Sequence, residues 1–250
     1  HPMTPRSLPR PSSSRPTLRV RRRLIAAVVS AMMGPTGAWA QGLAAADAAT
    51  QVTTAPNGVP VVNIAAPNGS GLSHNRYLQF NVGNRGAVLN NAAGQSFVQT
   101  QLAGQVVGNL NLPRPASVIL NEVVAPGRSS LAGFLEIAGS PADLVIANPN
   151  GITCSGCGFL QTPRVTLSTG TPQLDAATGA LRGLRVGGGD LLVTGAGLDA
   201  RNQDVLDIVV RSVRLEAPVH ARQLQITTGA NDWDYQSATT TPGTASGGTP

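Results

Sequence analysis

The sequence predicts an all-β protein. No stretch keeps an apolar period of 3.6 residues over the length of a helix, whereas short apolar segments recur about every ten residues, each bounded by Gly, Pro, Asn or Asp. A β-sandwich and a β-solenoid both fit this spacing. Two features favour the solenoid: segments such as Leu144–Ile146 and Ile208–Val210 are continuously apolar, which suits parallel strands, and Asn recurs at strand ends, where stacked turns can form amide ladders.

The first forty residues have the pattern of an export signal. Arg21, Arg22 and Arg23 precede an apolar core of 10 residues, Leu24–Met33, and the small-residue sequence Ala38-Trp39-Ala40 follows. A membrane anchor would need about twenty apolar residues. We therefore expect a signal peptide that is cleaved between Ala40 and Gln41, and a product that leaves the cytoplasm.

The formal net charge of +6 does not predict a nucleic-acid partner. All 18 basic residues are arginines, and seven of them lie in residues 1–40, so the rest of the chain carries 11 arginines against 12 acidic residues. No later run of like charge forms a basic patch, and nucleic-acid binding is not expected.

The strands predicted in chain order share β-branched or alternating apolar residues between turn signals. They are Val59–Ile64, Tyr77–Val82, Ala87–Leu89, Gly133–Ile137, Asp143–Ala147, Arg164–Ser168, Leu181–Val186, Asp190–Val193, Val205–Val210 and Gln223–Thr227. Residues 41–56 form a lead-in segment that could dock as a capping strand, and Ser117–Val124 is a strand or a helical turn. The main domain is expected over residues 41–235. Residues 236–250, rich in Thr, Ser, Gly and Pro, are expected to be a linker or the start of a truncated passenger.

The sequence Ala147-Asn148-Pro149-Asn150-Gly151-Ile152 predicts a tight turn between two strands. Pro149 fixes φ at a turn corner, and Asn148 and Asn150 can hydrogen-bond their own backbones. Gly151 adopts positive φ without steric cost.

Cys154 and Cys157 are the two cysteines of the chain, spaced C-x-x-C. In an exported protein this spacing favours a disulfide. A thioredoxin-like redox pair would open a helix, whereas the neighbours here are strand and turn residues. A metal site would need two more ligands, and His74 and His220 lie far away in sequence.

Catalytic patterns are weak. The chain has no G-x-S-x-G elbow for a nucleophile, and the glycine run 187–189 precedes a strand and not a phosphate-binding helix. The acidic groups Asp199, Asp204 and Asp207, and the pair Asp232 and Asp234, could supply an acid and a base for glycan cleavage. An enzyme is not expected, and no cofactor or metal is predicted. A β-helical protein that binds or cleaves carbohydrate is the alternative.

With these residues assembled, the chain resembles the N-terminal secretion domain of two-partner secretion exoproteins, the family of filamentous haemagglutinin, related haemolysins and contact-dependent growth-inhibition exoproteins. The segments that carry the resemblance are Gln41–Leu43, Val59–Ile64, Gly71–Asn75, Gln79–Val82, Leu131–Gly133, Ala142–Ile152 and Gly229–Asn231. The family's other signature, besides Asn-Pro-Asn-Gly-Ile, is usually Asn-Pro-Asn-Leu. Here Asn109-Leu110-Asn111-Leu112 has Leu110 where Pro is expected, and Asn109, Asn111 and Leu112 match.

The resemblance implies a right-handed parallel β-helix with an N-terminal cap and small accessory antiparallel sheets. It assigns secretion motifs to Asn109, Asn111 and Leu112 and to Asn148–Ile152, and it places the Cys154/Cys157 pair in the haemolysin and growth-inhibition branch. It also implies export by the Sec translocon, recognition by the POTRA domains of an outer-membrane transporter, and a place at the surface of a Gram-negative cell. Adhesive or toxic activity, including contact with host-cell or glycan receptors, would belong to a downstream passenger.

Overall fold

The computed structural model describes His1 and residues 42–243. The predicted signal peptide and its cleavage site between Ala40 and Gln41 lie outside the described residues. The described strands, in chain order, are β1 (Leu43–Ala45), β2 (Gln51–Thr54), β3 (Pro60–Asn63), β4 (Leu72–Phe80), β5 (Ala87–Asn91), β6 (Phe97–Gln99), β7 (Gln105–Val107), β8 (Val118–Val123), β9 (Ser129–Leu131), β10 (Phe134–Gly139), β11 (Asp143–Ala147), β12 (Ile152–Cys154), β13 (Cys157–Leu160), β14 (Arg164–Ser168), β15 (Gly170–Leu174), β16 (Leu181–Val186), β17 (Asp190–Val193), β18 (Leu198–Ala200), β19 (Val205–Val210), β20 (Ser212–Leu215), β21 (Val219–Ala221), β22 (Leu224–Thr228), β23 (Asn231–Asp234) and β24 (Thr240–Pro242).

Three sheets form the body of the domain, and from β5 to β20 each coil of the chain places one strand in each sheet. The first sheet has the order β1-β4-β8-β11-β14-β19-β22, the second β2-β3-β5-β10-β13-β18-β21, and the third β9-β12-β17-β20. From β4, β3 and β9 onward all pairings in these sheets are parallel. This arrangement confirms the predicted parallel β-helix.

Stacked apolar side chains fill the interior of the β-helix. Ile119, Leu144, Val165 and Leu206 occupy the same register position on four neighbouring strands of the first sheet, and all four are fully buried in one core cluster. Full burial of an aliphatic side chain of this size contributes about 1.5–3 kcal/mol. Repetition of such rows from coil to coil holds the stack together.

A second core lies on the outer face of the first sheet. There an antiparallel sheet of order β15-β16-β23-β24 packs Leu184 and Trp233 against Leu120 and Val145. Val145 therefore faces the accessory sheet, whereas its neighbours Leu144 and Ile146 face the interior of the β-helix. Burial on both faces explains why β11 is continuously apolar.

The ends and insertions of the β-helix depart from its regular parallel coils. The lead-in segment forms β1 and β2, which pair antiparallel to β4 and β3 and supply the N-terminal cap. Ser117–Val124 contains a strand and not a helical turn, and residues 92–116 contain the β6–β7 hairpin. The boundary at residue 235 stays a prediction, although β24, within the expected linker, pairs with β23. Among the residues that the structure describes, no helix has the length and hydropathy needed to cross a bilayer.

Candidate functional site: two asparagine turns at coil corners

The two motifs are numbered by their order in the chain, so Asn109–Leu112 is the first motif and Asn148–Ile152 is the second. Asn148 follows directly after β11 and is the centre of the second-motif turn. Its side chain is fully buried. The Nδ2 group donates to the carbonyl of Gly127 at 2.9 Å and to Ser129 Oγ at 2.9 Å, both of which belong to the preceding coil. Its Oδ1 atom accepts from the backbone N–H of Asn150 at 2.9 Å. The side-chain amide of Asn148 thus hydrogen-bonds within its own turn and also connects that turn to the preceding coil.

The remaining residues of this motif extend the same corner. Asn150 Nδ2 donates to the carbonyl of Ala125 at 3.1 Å, again in the preceding coil. The Gly151 N–H donates to the carbonyl of Asn148 at 3.0 Å, and Gly151 has a φ of +107°, which only glycine adopts freely. Ile152 then enters the core as the first residue of β12. Pro149 lies at the corner between Asn148 and Asn150.

The first motif builds a turn of the same form one coil earlier. Asn109 is buried, its Nδ2 donates to the carbonyls of Ile64 at 2.9 Å and Asn90 at 3.1 Å, and its Oδ1 accepts from Asn111 N–H at 3.0 Å. The Leu112 N–H donates to the Asn109 carbonyl at 3.1 Å, which matches the bond between Gly151 and Asn148. The turn therefore keeps its hydrogen bonds although Leu110 replaces proline at the corner.

An apolar groove adjoins the first turn. It has a volume of about 500 Å³ and lies between β2 and the β6–β7 hairpin. Phe97, Val107 and Leu110 line it with exposed fractions of 68%, 51% and 71%. None of its lining residues is charged.

The structure joins Cys154 and Cys157 in a disulfide at the corner between β12 and β13, with a Cα–Cα distance of 5.4 Å. Both residues are buried in the main core. The pair therefore lies one corner after the Asn148 turn, on the same coil.

Within residues 42–243, histidine and carboxylate side chains do not converge on a reactive centre. His74 Nε2 lies 2.7 Å from Glu122 Oε2, and His220 is the exposed residue of β21. No group of three or more metal-ligating side chains occurs in the described part of the chain.

The acidic residues considered for glycan cleavage are each engaged by other groups. Asp199, Asp204, Asp207 and Asp232 pair with Arg201, Arg222, Arg164 and Arg185 respectively, and Asp234 accepts hydrogen bonds within its own turn. Asp207 is almost fully buried, so it is not accessible to a glycan. These contacts do not favour the carbohydrate-cleaving alternative.

The chain matches a known protein family over most of its length. The family model of the TPS secretion domain matches residues 40–249. Among solved structures, the crystal structure of the filamentous hemagglutinin secretion domain superposes with a TM-score of 0.75 at 39% identity, covering 83% of this chain and 70% of that chain.

Similar curated proteins are the CdiA toxins. The 16S rRNA endonuclease CdiA of Enterobacter cloacae is 50% identical over 184 residues, which is 73% of this chain and 6% of that protein. The tRNA nuclease CdiA of Escherichia coli strain STEC_O31 is 49% identical over 71% of this chain and 5% of its own length. The tRNA nuclease CdiA-2 of Burkholderia pseudomallei is 40% identical over 92% of this chain and 7% of its own length. The chain thus spans a small fraction of the curated relatives that it matches.

Proposed function

The chain belongs to the family of two-partner secretion (TPS) domains, and from this premise we propose that it is the N-terminal secretion and folding-nucleation domain of a large exoprotein. TPS exoproteins have a cognate outer-membrane transporter as partner. We propose that the POTRA domains of that transporter recognise this chain after Sec-dependent export to the periplasm, and that the domain then folds at the cell surface. Its own role is recognition and folding, without catalysis.

The observation that carries this proposal is the burial of Asn148. Its side chain contacts the preceding coil and its own turn, so the motif is a structural corner of the β-helix. A residue with this burial does not present its side chain to a folded partner. The motif supports secretion by completing a coil outside the cell or by pairing as an extended segment beforehand, through β-strand addition to a sheet edge.

The last described coil supports a role in nucleating the fold of a passenger. Leu215, Leu224 and Ile226 lie on β20 and β22, and their exposed fractions are 41–46%. These two strands end their sheets in the described residues. A further coil would cover the apolar side chains and pair with the strand edges.

The nuclease names of the curated relatives describe proteins of which this chain covers about one-twentieth. We therefore assign no nuclease activity to the residues described here. A toxic, haemolytic or adhesive activity, and any host-cell or glycan receptor, would belong to sequence outside this domain.

The proposal is tested by co-expression with the cognate transporter in a Gram-negative host. The secreted fraction of the chain is measured for the wild type, Asn148→Ala and Asn150→Ala. We expect Asn148→Ala to lower this fraction at least several-fold, because it leaves buried polar groups of the preceding coil without a partner. Asn150→Ala should have a smaller effect, because its side-chain bond to Ala125 is exposed and the backbone N–H of residue 150 still donates to Asn148 Oδ1 when the side-chain bond to that atom is lost.

Asn84→Ala is a matched control, since Asn84 is an exposed turn asparagine outside both motifs. Its secreted fraction should equal that of the wild type. Unchanged secretion of Asn148→Ala and Asn150→Ala would refute the role assigned to this turn.

A further inference from the structure

Three residues of successive coils stack at the corner formed by the second motif. In the third sheet Ser129, Ile152 and Leu191 share one register position on β9, β12 and β17. The residues immediately before them are Arg128, Gly151 and Asp190. Gly151 of the motif therefore lies between a cation from the coil before it and an anion from the coil after it.

Arg128 spans all three coils. Its guanidinium donates to Asp190 through Nη1 to Oδ1 at 2.8 Å and through Nη2 to Oδ2 at 2.6 Å. The same side chain donates to the carbonyl of Ile152 at 3.1 Å and to Thr153 Oγ1 at 2.7 Å. Bidentate pairing of this kind fixes both the distance and the orientation of the two side chains.

Gly151 leaves the space through which the guanidinium passes. A Cβ atom added at this position would lie 2.5 Å from Arg128 Nη1 and 3.0 Å from the carbonyl oxygen of Asp190. The glycine therefore meets two demands, a φ of +107° and an open path between the two charged groups. In the first motif Leu112 stands at the equivalent position and is buried in the core, so that corner uses a different arrangement.

The loop before Asp190 closes the other side of the corner. Gly189 has a φ of +72°, and a Cβ atom there would lie 2.6 Å from the carbonyl oxygen of Pro149. The motif turn is thus held between Arg128 on one side and Gly189 with Asp190 on the other. The Arg128 guanidinium also holds the pKa of Asp190 below its usual range, so this carboxylate is charged at neutral pH.

We propose that Arg128 and Asp190 are positioning residues for the Asn148–Ile152 turn, and that they complete this turn only when three successive coils have stacked. The pair acts through Gly151 and not by contact with the transporter. Because of this pair, the second-motif turn becomes fully ordered only when the coil that carries β17 is in place. That coil lies about forty residues further along the chain. Its consequence for secretion rests on the proposed function above, whereas its effect on the turn does not.

The direct test is amide hydrogen exchange of Asn150 and Gly151 in the full chain, followed by NMR. We expect Arg128→Gln and Asp190→Asn each to raise these two exchange rates about tenfold, since local opening of the turn then needs fewer broken contacts. The double variant should show no further increase, because both substitutions remove one pair. Arg128→Lys should recover part of the protection, since it keeps the charge but not the bidentate geometry.

Two controls separate positioning from general destabilisation. Arg201 and Asp199 form a comparable pair with a contact of 2.6 Å, but they lie two residues apart on one coil, so Arg201→Gln should leave the exchange of Asn150 and Gly151 unchanged. The amide of Leu167, in the buried strand β14, should keep its wild-type rate in all variants. If Arg128→Gln does not fold, Asp190→Asn removes the same pair and provides the same comparison.

Wild-type exchange at Asn150 and Gly151 in both single variants would overturn the inference, as would an equal increase at Leu167. Secretion assays of Asn148→Ala, compared with the exchange rates of Arg128→Gln, distinguish the two proposals. Normal secretion of Asn148→Ala and Asn150→Ala would refute the role proposed for this turn in secretion, whatever the exchange rates show. Blocked secretion of Asn148→Ala, together with unchanged exchange in Arg128→Gln, would refute the positioning role alone.

Discussion

The phenol O–H of Tyr235 donates a hydrogen bond to Asp143 Oδ2 at 2.9 Å, and this bond joins the accessory sheet to the first residue of β11. Arg164 lies beside it, with its guanidinium carbon 4.6 Å from the centre of the Tyr235 ring and its Nε donating to Asp207 at 2.7 Å. Burial and the nearby Asp143 carboxylate raise the pKa of Tyr235, so the phenol stays protonated and able to donate. The accessory sheet is thus attached through polar contacts as well as through its apolar face.

We expect Tyr235→Phe to lower the free energy of unfolding by about 1–2 kcal/mol, because it removes the donor to a partly buried carboxylate oxygen. Urea denaturation at pH 7 measures this change. In an Asp143→Ala background the same substitution should cost under about 0.5 kcal/mol, since the hydrogen bond is already absent. Equal costs in the two backgrounds would show that the bond does not stabilise the fold.

Asp143 also predicts a specific pH dependence of stability. Desolvation raises the pKa of Asp143 above its ordinary value of 3.8, and the hydrogen bond from Tyr235 and the charge of Arg164 offset this only in part. The folded protein therefore binds this proton more tightly than the unfolded chain does, and the contribution of Asp143 to stability falls as the pH rises from 3.8 through its folded pKa.

Asp143→Asn removes that titration. The free energy of unfolding of the wild type, relative to Asp143→Asn, should therefore increase as the pH is lowered from 7 toward 4. Asp190, Asp199 and Asp234 have lowered pKa values, so the stability that they contribute is present above 3.8 and is lost below it. A difference between the two proteins that stays constant from pH 7 to pH 4 would contradict the assignment to Asp143.

Five predicted strands match the structure residue for residue: Asp143–Ala147, Arg164–Ser168, Leu181–Val186, Asp190–Val193 and Val205–Val210. Each has recurring apolar residues between turn signals, and those signals mark where the strand begins and ends. The short strands Ser129–Leu131 and Leu198–Ala200 were not predicted. Three residues flanked by turns carry too little periodicity to be distinguished from a loop.

The turn chemistry of the second motif could also be predicted, since Asn148 does bond the backbone of Asn150. The burial of Asn148 and its contacts with Gly127 and Ser129 could not, because they depend on which coils stack. Arg128 was missed for the same reason. Its partner Asp190 is 62 residues away, and without a strict repeat the sequence does not indicate that the two share a corner.

The disulfide should contribute modestly to stability. It closes a loop of four residues, for which the chain-entropy relation predicts about 2 kcal/mol. The double variant Cys154→Ala/Cys157→Ala should therefore unfold at a lower urea concentration than the oxidised wild type. Wild-type protein reduced while unfolded, and kept reduced, should show a similar loss. Coincident unfolding curves for oxidised and reduced protein would contradict this expectation.

The corner residue of the first motif offers a stabilising substitution. Leu110 occupies the place that Pro149 has in the second turn, and both turns share the same pattern of asparagine hydrogen bonds. Because the Leu110 side chain is 71% exposed, its removal costs little burial. Leu110→Pro should raise the free energy of unfolding by about 0.4–1 kcal/mol, chiefly by restricting the unfolded chain.

The reverse substitution and a neutral control make this prediction decisive. Pro149→Leu should lower stability by a similar amount, since it frees the unfolded chain at a corner that suits proline. Leu110→Ala removes the side chain without fixing φ, so its effect should stay within about 0.5 kcal/mol. Thermal and urea unfolding of the three variants provide the comparison. A loss of stability in Leu110→Pro, with Leu110→Ala unchanged, would mean that the first corner has a backbone conformation that proline does not fit, and that the two turns share their hydrogen bonds but not their φ values.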